Sequence, residues 1–423
     1  MRPFLKTVAT TLFTHLKGIW LPPVSDLRPL RGSELRQTHI LENAWLLVKG
    51  GLVDSYGSMN QPPVIQESFE EIPANGRYLL PGFVDCHTHL VFAAWRENEM
   101  EMRLSGKTYL EIAAAGGGIL NSALRLQDTP EDELFESALK RLHELIAMGT
   151  VAVEIKSGYG LSTEAELKML RVVRRLKEVS PVPIRATFLG AHAIPKKYGN
   201  REEYIGLILN EMIPAVAKEG LADYCDVFCD TGFFTPEETI RILNRGKEFG
   251  LIPKVHANEL ARSGGVQAGV EAGAISADHL ECMGDEEFDL LAGSSTLPVL
   301  LPGTAFFLGI HPPDARTMIN RDLPVVLASD YNPGTCPSGN MEFVLSLGST
   351  LLKMHPHEAL HAATQNAAFA MGVEKECGRI EVGRRADFLL TKPIPSLSFI
   401  PYHFGQSAIE QVWIKGEAFS ICK

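Results

Sequence analysis

The segment Leu80-Pro-Gly-Phe-Val-Asp-Cys-His-Thr-His89 is an apolar run that ends in two histidines placed two residues apart. Side chains alternate between the two faces of a strand, so both imidazoles are expected on one side of the chain if the strand continues. Two converging imidazoles make half of a metal site. The alternative is a pair of packing histidines, which would need several polar partners if both were buried.

Residues of types that bind metals or carry protons also occur at the ends of three later apolar segments. The three strand ends are His256-Ala-Asn-Glu259, Ser276-Ala-Asp-His279 and Leu327-Ala-Ser-Asp330. Zinc and ferrous iron accept imidazole nitrogen and carboxylate oxygen, and a catalytic site keeps one position open for water. The predicted ligands are three nitrogens and one oxygen, from His87, His89, His256 and Asp330. His279 is then left outside the ligand set.

Between residues 78 and 372, short apolar runs alternate with longer amphipathic segments, the rhythm of a parallel sheet with crossover helices. The predicted strands span 82–85, 151–155, 184–189, 224–228, 252–255, 274–277, 295–300 and 325–328. The predicted helices span 130–148, 163–179, 201–219, 236–249 and 285–291. Eight strands suit a (β/α)₈ TIM-like barrel.

Polar residues follow nearly every predicted strand. In chain order they are His87 and His89, Lys156, His192, Asp230, His256 and Glu259, Asp278 and His279, and Asp330. Barrel enzymes place their chemistry at the C-terminal ends of their strands, so this pattern favours a barrel over an open sheet.

Both ends of the chain have β character. Residues 10–20 are predicted to form a strand, and residues 44–54 two strands joined by a Gly-Gly turn. Residues 378–390 and 411–416 show the same pattern of strand-forming and turn-forming residues. Neither end is long enough for a domain of its own. We therefore expect one small β-sandwich domain from residues 1–77 and 373–423, and a catalytic barrel from residues 78–372.

Composition narrows the class of protein. The 51 acidic and 40 basic residues give a formal charge of −11, with the basic residues scattered, so nucleic acid is not an expected partner. An anionic small substrate would need a local cation. The seven cysteines are odd in number and widely spaced, which favours a reducing cytoplasm over a disulfide framework. No apolar run is long enough to span a bilayer, so no membrane association is expected.

The motif from Pro81 to His89, with the strand-end histidines and the late Ser-Asp pair, resembles the amidohydrolase superfamily. Four further motifs are together similar to the imidazolonepropionase family within it. They are Ala114-Ala-Gly-Gly-Gly-Ile119, Glu154-Ile-Lys-Ser-Gly-Tyr-Gly-Leu161, Ala277-Asp-His-Leu-Glu281 and Asp330-Tyr-Asn-Pro-Gly-Thr335. The resemblance runs from about residue 24 to residue 415.

This resemblance implies a metal-dependent hydrolase of histidine degradation that opens the cyclic amide of 4-imidazolone-5-propanoate to give N-formimino-L-glutamate. It implies one zinc or iron ion per chain, held by the four ligands predicted above, and a homodimer. Proton transfer is implied for Glu259, His279 and Asp330. Substrate contacts are implied for Arg96, Tyr109, Tyr159, His192, Glu259, Asn332, Gly334 and Thr335. Arg96 is the expected cation for the propanoate, since a guanidinium matches a carboxylate bidentately.

Three other functions remain open from the sequence. A dihydroorotase-like amidase would hold two metals around a carboxylated Lys156, with His192 and His279 as further ligands. An aminohydrolase of a purine-like ring would use the same ligands as the one-metal site. A barrel without activity would be expected to lack metal ligands, whereas this chain has all four. The choice between zinc and iron also stays open, since both metals accept these ligands.

Overall fold

The computed structural model describes residues 10–23, 25–107, 111–112 and 116–421. The strands are β1 (Thr10–Leu21), β2 (His39–Lys49), β3 (Leu52–Ser58), β4 (Phe69–Pro73), β5 (Tyr78–Pro81), β6 (Phe83–Thr88), β7 (Thr150–Lys156), β8 (Ile184–Ala191), β9 (Tyr224–Cys229), β10 (Ile252–Pro253), β11 (Val255–Ala257), β12 (Ser276–His279), β13 (Leu297–Leu300), β14 (Val326–Leu327), β15 (Phe388–Thr391), β16 (Ile409–Ile414) and β17 (Glu417–Ala418). They form two sheets.

The described helices alternate with the barrel strands and continue after them. They are α1 (Asn98–Leu104), α2 (Gly118–Asp128), α3 (Glu131–Ala147), α4 (Thr163–Val179), α5 (Arg201–Leu207), α6 (Ile213–Glu219), α7 (Pro236–Glu248), α8 (Gly265–Ala272), α9 (Asp285–Ala292), α10 (Pro302–Leu308), α11 (Ala315–Asn320), α12 (Met341–Thr350), α13 (Pro356–Ala362), α14 (Gln365–Ala370) and α15 (Phe399–Tyr402). None of the helices in the described ranges is long and apolar enough to cross a membrane.

The larger sheet is the predicted barrel. Its strands run in the order β6-β7-β8-β9-β11-β12-β13-β14, with β10 beside β9, and its registers are parallel. Strands β6, β7 and β9 are buried along their whole length, so even their charged residues, such as Asp85, Glu154 and Asp226, lie inside the protein. The (β/α)₈ class expected from the sequence is confirmed.

The barrel closes where the chain after β14 meets β6. The amide and hydroxyl of Ser329 donate to the two carboxylate oxygens of Asp85, at 3.0 and 2.5 Å. The amide of Asp330 donates to the carbonyl of His87 at 3.0 Å, and the amide of His89 donates to the carbonyl of Tyr331 at 2.8 Å. Closure therefore sets Asp330 against the two histidines of the first barrel strand.

The smaller sheet is built from both ends of the chain. Its order is β17-β16-β15-β5-β1-β2-β3, with β4 paired to β1. The ring of Phe13 on β1 lies 4.8 Å from that of Trp413 on β16, although these strands are not neighbours in the sheet. The sheet therefore folds over its own apolar core, as the predicted sandwich requires. Strand β5 pairs with β1 and β15 and leads directly into the barrel, and the domain boundary at residue 77 stays a prediction.

Several elements differ in their bounds from the sequence prediction, and two of these differences have a clear local cause. The expected helix 201–219 is divided by a π-helix at Ile208–Met212, because Pro214 has no amide to continue the i→i−4 ladder. The expected strand 274–277 begins two residues later. Gly273 takes a left-handed conformation at φ 72° that ends α8, and the amide of Ala274 bonds back to Gly269.

Closure of the barrel can be tested at Asp85. Asp85→Ala removes the acceptor of both Ser329 donors and leaves a buried amide without a partner, so we expect the free energy of unfolding to fall by about 1–3 kcal/mol. Ser329→Ala removes the hydroxyl that donates to Asp85 and accepts from the amide of Tyr331 at 3.0 Å, so it should also cost about 1–3 kcal/mol. Chemical denaturation with chelator in every sample measures both changes. A wild-type free energy of unfolding in both variants would show that these contacts do not hold the barrel closed.

Candidate functional site

Three buried histidines converge at the C-terminal end of the barrel. His87 lies on β6, His89 directly follows it, and His256 lies on β11. One ligand nitrogen from each lies within 4.8 Å of the other two. Nε2 of His87 and Nε2 of His256 are buried and have no hydrogen-bond partner among the described residues. Buried polar atoms are rarely left without a partner, so these atoms fit a bound cation.

Asp330 supplies an oxygen next to the histidines. Its Oδ1 lies 3.6 Å from Nε2 of His87 and 3.8 Å from Nε2 of His89. Its Oδ2 accepts a 2.5 Å hydrogen bond from the hydroxyl of Thr304 at the start of α10, which fixes the carboxylate. Burial raises the pKa of Asp330 to about 6, against the lowering effect of nearby His279. Three nitrogens and one oxygen form a donor set that suits zinc or iron.

The protonation of the three histidines also suits metal binding. Burial lowers the pKa of His87, His89 and His256 well below the usual value, and neighbouring positive charges lower it further. The imidazoles are therefore neutral near pH 7, and neutral imidazole is the form that binds metals.

Two buried aspartates face the far sides of these imidazoles. Oδ2 of Asp278 lies 2.6 Å from Nδ1 of His87, and Oδ2 of Asp226 lies 3.0 Å from Nδ1 of His256. At His87 this contact is a hydrogen bond, which favours the tautomer with its proton on Nδ1 and leaves the Nε2 lone pair for a metal. Nδ1 of His256 lies at ion-pair distance from Asp226 but makes no hydrogen bond among the described residues. Aspartates in contact with metal-binding histidines were not part of the sequence prediction.

Lys156 is fully buried and ion-paired. Its Nζ donates to Oε1 of Glu154 at 2.7 Å and to Oδ2 of Asp226 at 2.8 Å. Burial alone would lower the pKa of Lys156, but attraction to Asp226, Glu154 and Asp278 outweighs it and raises the pKa well above its usual value. A carboxylated lysine must form from the neutral amine, so this environment argues against the two-metal alternative.

His279 and Glu259 form a pair at the opening of the site. His279 ends β12, and its Nε2 lies 3.7 Å from Oε2 of Glu259, while its Nδ1 lies 3.7 Å from Oε2 of Glu281. Burial would lower the pKa of His279, but Glu259 and Glu281 raise it to about 10. Burial raises the pKa of Glu259 to about 7. This carboxyl can therefore hold or release a proton near neutral pH.

A cavity of about 290 Å³ opens above the imidazoles. Its walls bring together most of the residues predicted from the sequence, namely His89, Arg96, Tyr159, His192, His256, Glu259, His279, Asp330, Asn332 and Thr335. Arg103 and Lys107 also line it, and the sequence prediction did not include them. Tyr109 lies outside the described residues.

Arg96 is buried in this wall, and its guanidinium forms an ion pair with Glu99. Its Nε and Nη2 donate to the two carboxylate oxygens of Glu99 at 2.9 and 2.8 Å. Gly334 packs against the same guanidinium, so that a Cβ at residue 334 would lie 2.3 Å from Cζ of Arg96. The spacing i, i+3 between Arg96 and Glu99 was visible in the sequence and could have indicated the pair.

Asn332 uses its amide to shape the loop after Asp330. Its Nδ2 donates to the carbonyl of Asp330 at 2.7 Å, and its Oδ1 accepts from the amides of Gly334 and Thr335 at 2.9 and 2.7 Å. The structure therefore gives Asn332 a role in holding the loop, in addition to the substrate contact predicted for it.

His192 and Tyr159 form the wall beside His89. The rings of His192 and His89 are stacked, with an interplanar angle of 14° and centroids 5.1 Å apart. Nδ1 of His192 lies 3.0 Å from the carbonyl of Gly158, and the ring of Tyr159 lies 5.5 Å from that of His192. Gly158 has a φ of 105°, a conformation that favours glycine.

The ligand set can be tested by metal analysis. His87→Ala, His256→Ala and Asp330→Ala each remove one of four predicted ligands, so each should abolish stoichiometric binding and turnover. His39→Ala, on an exposed part of β2, is the matched control and should retain the metal. Elemental analysis of the purified variants gives the metal content. A variant that keeps one metal per chain at a near-normal rate would exclude that residue from the ligands.

Comparison with known proteins places the chain in a family. The amidohydrolase family model matches residues 78–419. Imidazolonepropionase of Christiangramia forsetii is 47% identical over 409 residues, which cover 96% of this chain and 99% of that protein. Imidazolonepropionase of Geobacillus kaustophilus is 41% identical over 422 residues, which cover 98% of this chain and 97% of that protein.

Solved structures with low identity share the fold alone. Guanine deaminase of E. coli has a TM-score of 0.70 at 14% identity, covering 98% of this chain and 100% of its own. An adenosine deaminase from Xanthomonas campestris with bound zinc has a TM-score of 0.69 at 15% identity, covering 96% of this chain and 92% of its own. From the family match and the two closely similar relatives, the chain belongs to the amidohydrolase family and, within it, to the imidazolonepropionases.

Proposed function

We propose that the chain hydrolyses the cyclic amide of 4-imidazolone-5-propanoate to N-formimino-L-glutamate, a step of histidine degradation. The observation that carries the proposal is one cavity with unpartnered imidazole nitrogens at its base, a His279–Glu259 pair at its side and buried Arg96 in its wall. Identity to imidazolonepropionases over nearly the whole chain supports the same substrate.

The residues that would hold one zinc or iron ion are His87, His89, His256 and Asp330. When bound, such an ion makes water a stronger acid and polarises a carbonyl group. The chain itself contributes neutral imidazoles and a carboxylate fixed by Thr304. We propose one ion per chain, and a homodimer as the assembly.

The reaction needs two proton movements. Water adds its oxygen to the ring carbonyl carbon and loses a proton, and then the bond from that carbon to the ring nitrogen breaks while the nitrogen gains a proton. Asp330 and His279 are the groups proposed for the first proton. His279, with a pKa of about 10, is protonated near neutral pH and can stabilise the negative charge that develops on the water oxygen, whereas Asp330 can accept the proton. Glu259 faces the same cavity, and its pKa of about 7 suits a group that protonates the departing nitrogen near neutral pH.

The propanoate carboxylate needs a cation, because the chain as a whole carries a formal charge of −11. Arg96 is the proposed partner. Its two hydrogen bonds to Glu99 fix the plane of the guanidinium. A guanidinium held in place binds a carboxylate with little loss of side-chain entropy. We further propose that Tyr109, Tyr159, His192, Asn332, Gly334 and Thr335 form the remaining substrate contacts.

Proton transfer can be separated from metal binding. Glu259→Gln and His279→Gln should each leave the metal bound while lowering kcat by a factor on the order of 10² or more, the usual scale for a positioned acid or base. Metal content and steady-state rates on the same samples measure this. Loss of the metal from either variant would mean that the residue is a ligand.

Arg96 tests the identity of the substrate. Arg96→Met should raise KM with the metal retained, because a buried charge-assisted contact is typically worth about 2–5 kcal/mol. Arg96→Lys should recover only part of the loss, since an ammonium cannot reproduce the fork. An imidazolone without the carboxylate should bind the wild type poorly and should distinguish little between the wild type and Arg96→Met.

The pair with Glu99 requires a control, because Arg96→Met also leaves a buried carboxylate without its partner. The double variant Arg96→Met/Glu99→Gln removes that unpaired charge. If Arg96 binds the carboxylate, KM for the full substrate stays high in the double variant. Recovery of a wild-type KM there would show that Arg96 serves only to neutralise Glu99.

A further inference from the structure

Five fully buried charged side chains lie inside the barrel beside the metal-binding imidazoles. This group, here the buried charge cluster, consists of Glu154, Lys156, Asp226, Lys254 and Asp278. Three carboxylates and two ammonium groups make it nearly neutral. Removing such charges from water costs several kcal/mol per ion, so each group needs its partner in the cluster.

Lys156 is the member that joins the two aspartates. Its Nζ lies 2.8 Å from Oδ2 of Asp226 and 3.5 Å from Oδ2 of Asp278. These same two oxygens face Nδ1 of His256 and Nδ1 of His87. One ammonium group is thus in ion-pair contact with both carboxylates that orient the two imidazoles.

We propose that Lys156 is a positioning residue for the metal centre: it anchors Asp226 and Asp278, and through them sets the orientation of His256 and His87. The proposal rests on the proposed metal site. Asp278 has a second anchor, because the hydroxyl of Ser276 donates to its Oδ1 at 2.6 Å. Oδ1 of Asp226 has no hydrogen-bond partner among the described residues, so the position of Asp226 depends more on Lys156.

Lys254 offers a matched control inside the same cluster. It is equally buried and pairs with the other oxygen of Glu154, and it also donates to the carbonyls of Cys86 and Ala370 at 3.4 and 3.3 Å. It makes no ion pair with either aspartate within the described residues. Lys254→Met and Lys156→Met therefore remove the same charge from the same cluster, but only Lys156→Met removes the contact with the aspartates.

The test uses Co²⁺ bound to the full-length chain. Competition with a chelator gives the Co²⁺ affinity, and the visible d–d absorption reports the coordination geometry. Loss of an outer partner of a metal ligand typically weakens metal binding by about 10–100-fold. We expect a loss of that size and an altered spectrum for Lys156→Met. Lys254→Met should keep the wild-type spectrum and an affinity within about 3-fold, even if its unfolding midpoint falls.

The outcomes separate positioning from stability and from charge. Wild-type affinity and spectrum in Lys156→Met would overturn the proposal, and so would an equal loss in both variants, because the centre would then respond only to the total charge. If Lys156→Met does not fold, Lys156→Gln retains amide donors at similar length. It should show an intermediate loss, and a wild-type result would again overturn the proposal. Failure of the wild type to bind Co²⁺ would instead refute the metal site itself.

Discussion

The structure depends on closure of the barrel between its first and last strands. Asp85 and Ser329 are 244 residues apart in the chain, and their hydrogen bonds bring the end of β6 to the loop that follows β14. The amide of Asp330 then bonds to the carbonyl of His87. Without closure, the imidazoles of the first strand and the carboxylate of the last one would not meet. The same contact completes the fold and assembles the site.

The interior of this barrel differs from the usual one. Barrel interiors are mostly layers of branched apolar side chains. Here the interior near the imidazoles holds five charged residues that are inaccessible to solvent. A buried ionic network is weak evidence for stability, because the free-energy cost of removing its charges from water is about as large as the gain from their mutual attraction. A network that orients metal-binding histidines gives these charges a functional reason to be there.

Much of the barrel and of the set of metal ligands could be predicted from the sequence, because the residues that indicate them lie close together within single segments. Strands β6 to β14 followed from apolar runs, and the histidines at their ends followed from residue type and spacing. The ion pairs of Lys156 with Asp226 and Asp278 join three strands, and no pattern within one segment predicts such contacts. The positions of β12 and of the break in the helix 201–219 depended on one glycine and one proline, whose effects on hydrogen bonding appear only in the folded chain.

The most direct test of the account is the rate of imidazolone ring opening as a function of metal content. Metal-free chain is reloaded with zinc or iron in steps, and conversion of 4-imidazolone-5-propanoate to formiminoglutamate is measured at each step. With one ion per chain at the site, the rate should rise in proportion to bound metal and reach its plateau at one ion per chain. A full rate in the metal-free chain, a plateau at two ions, or no conversion at any metal content would contradict this prediction.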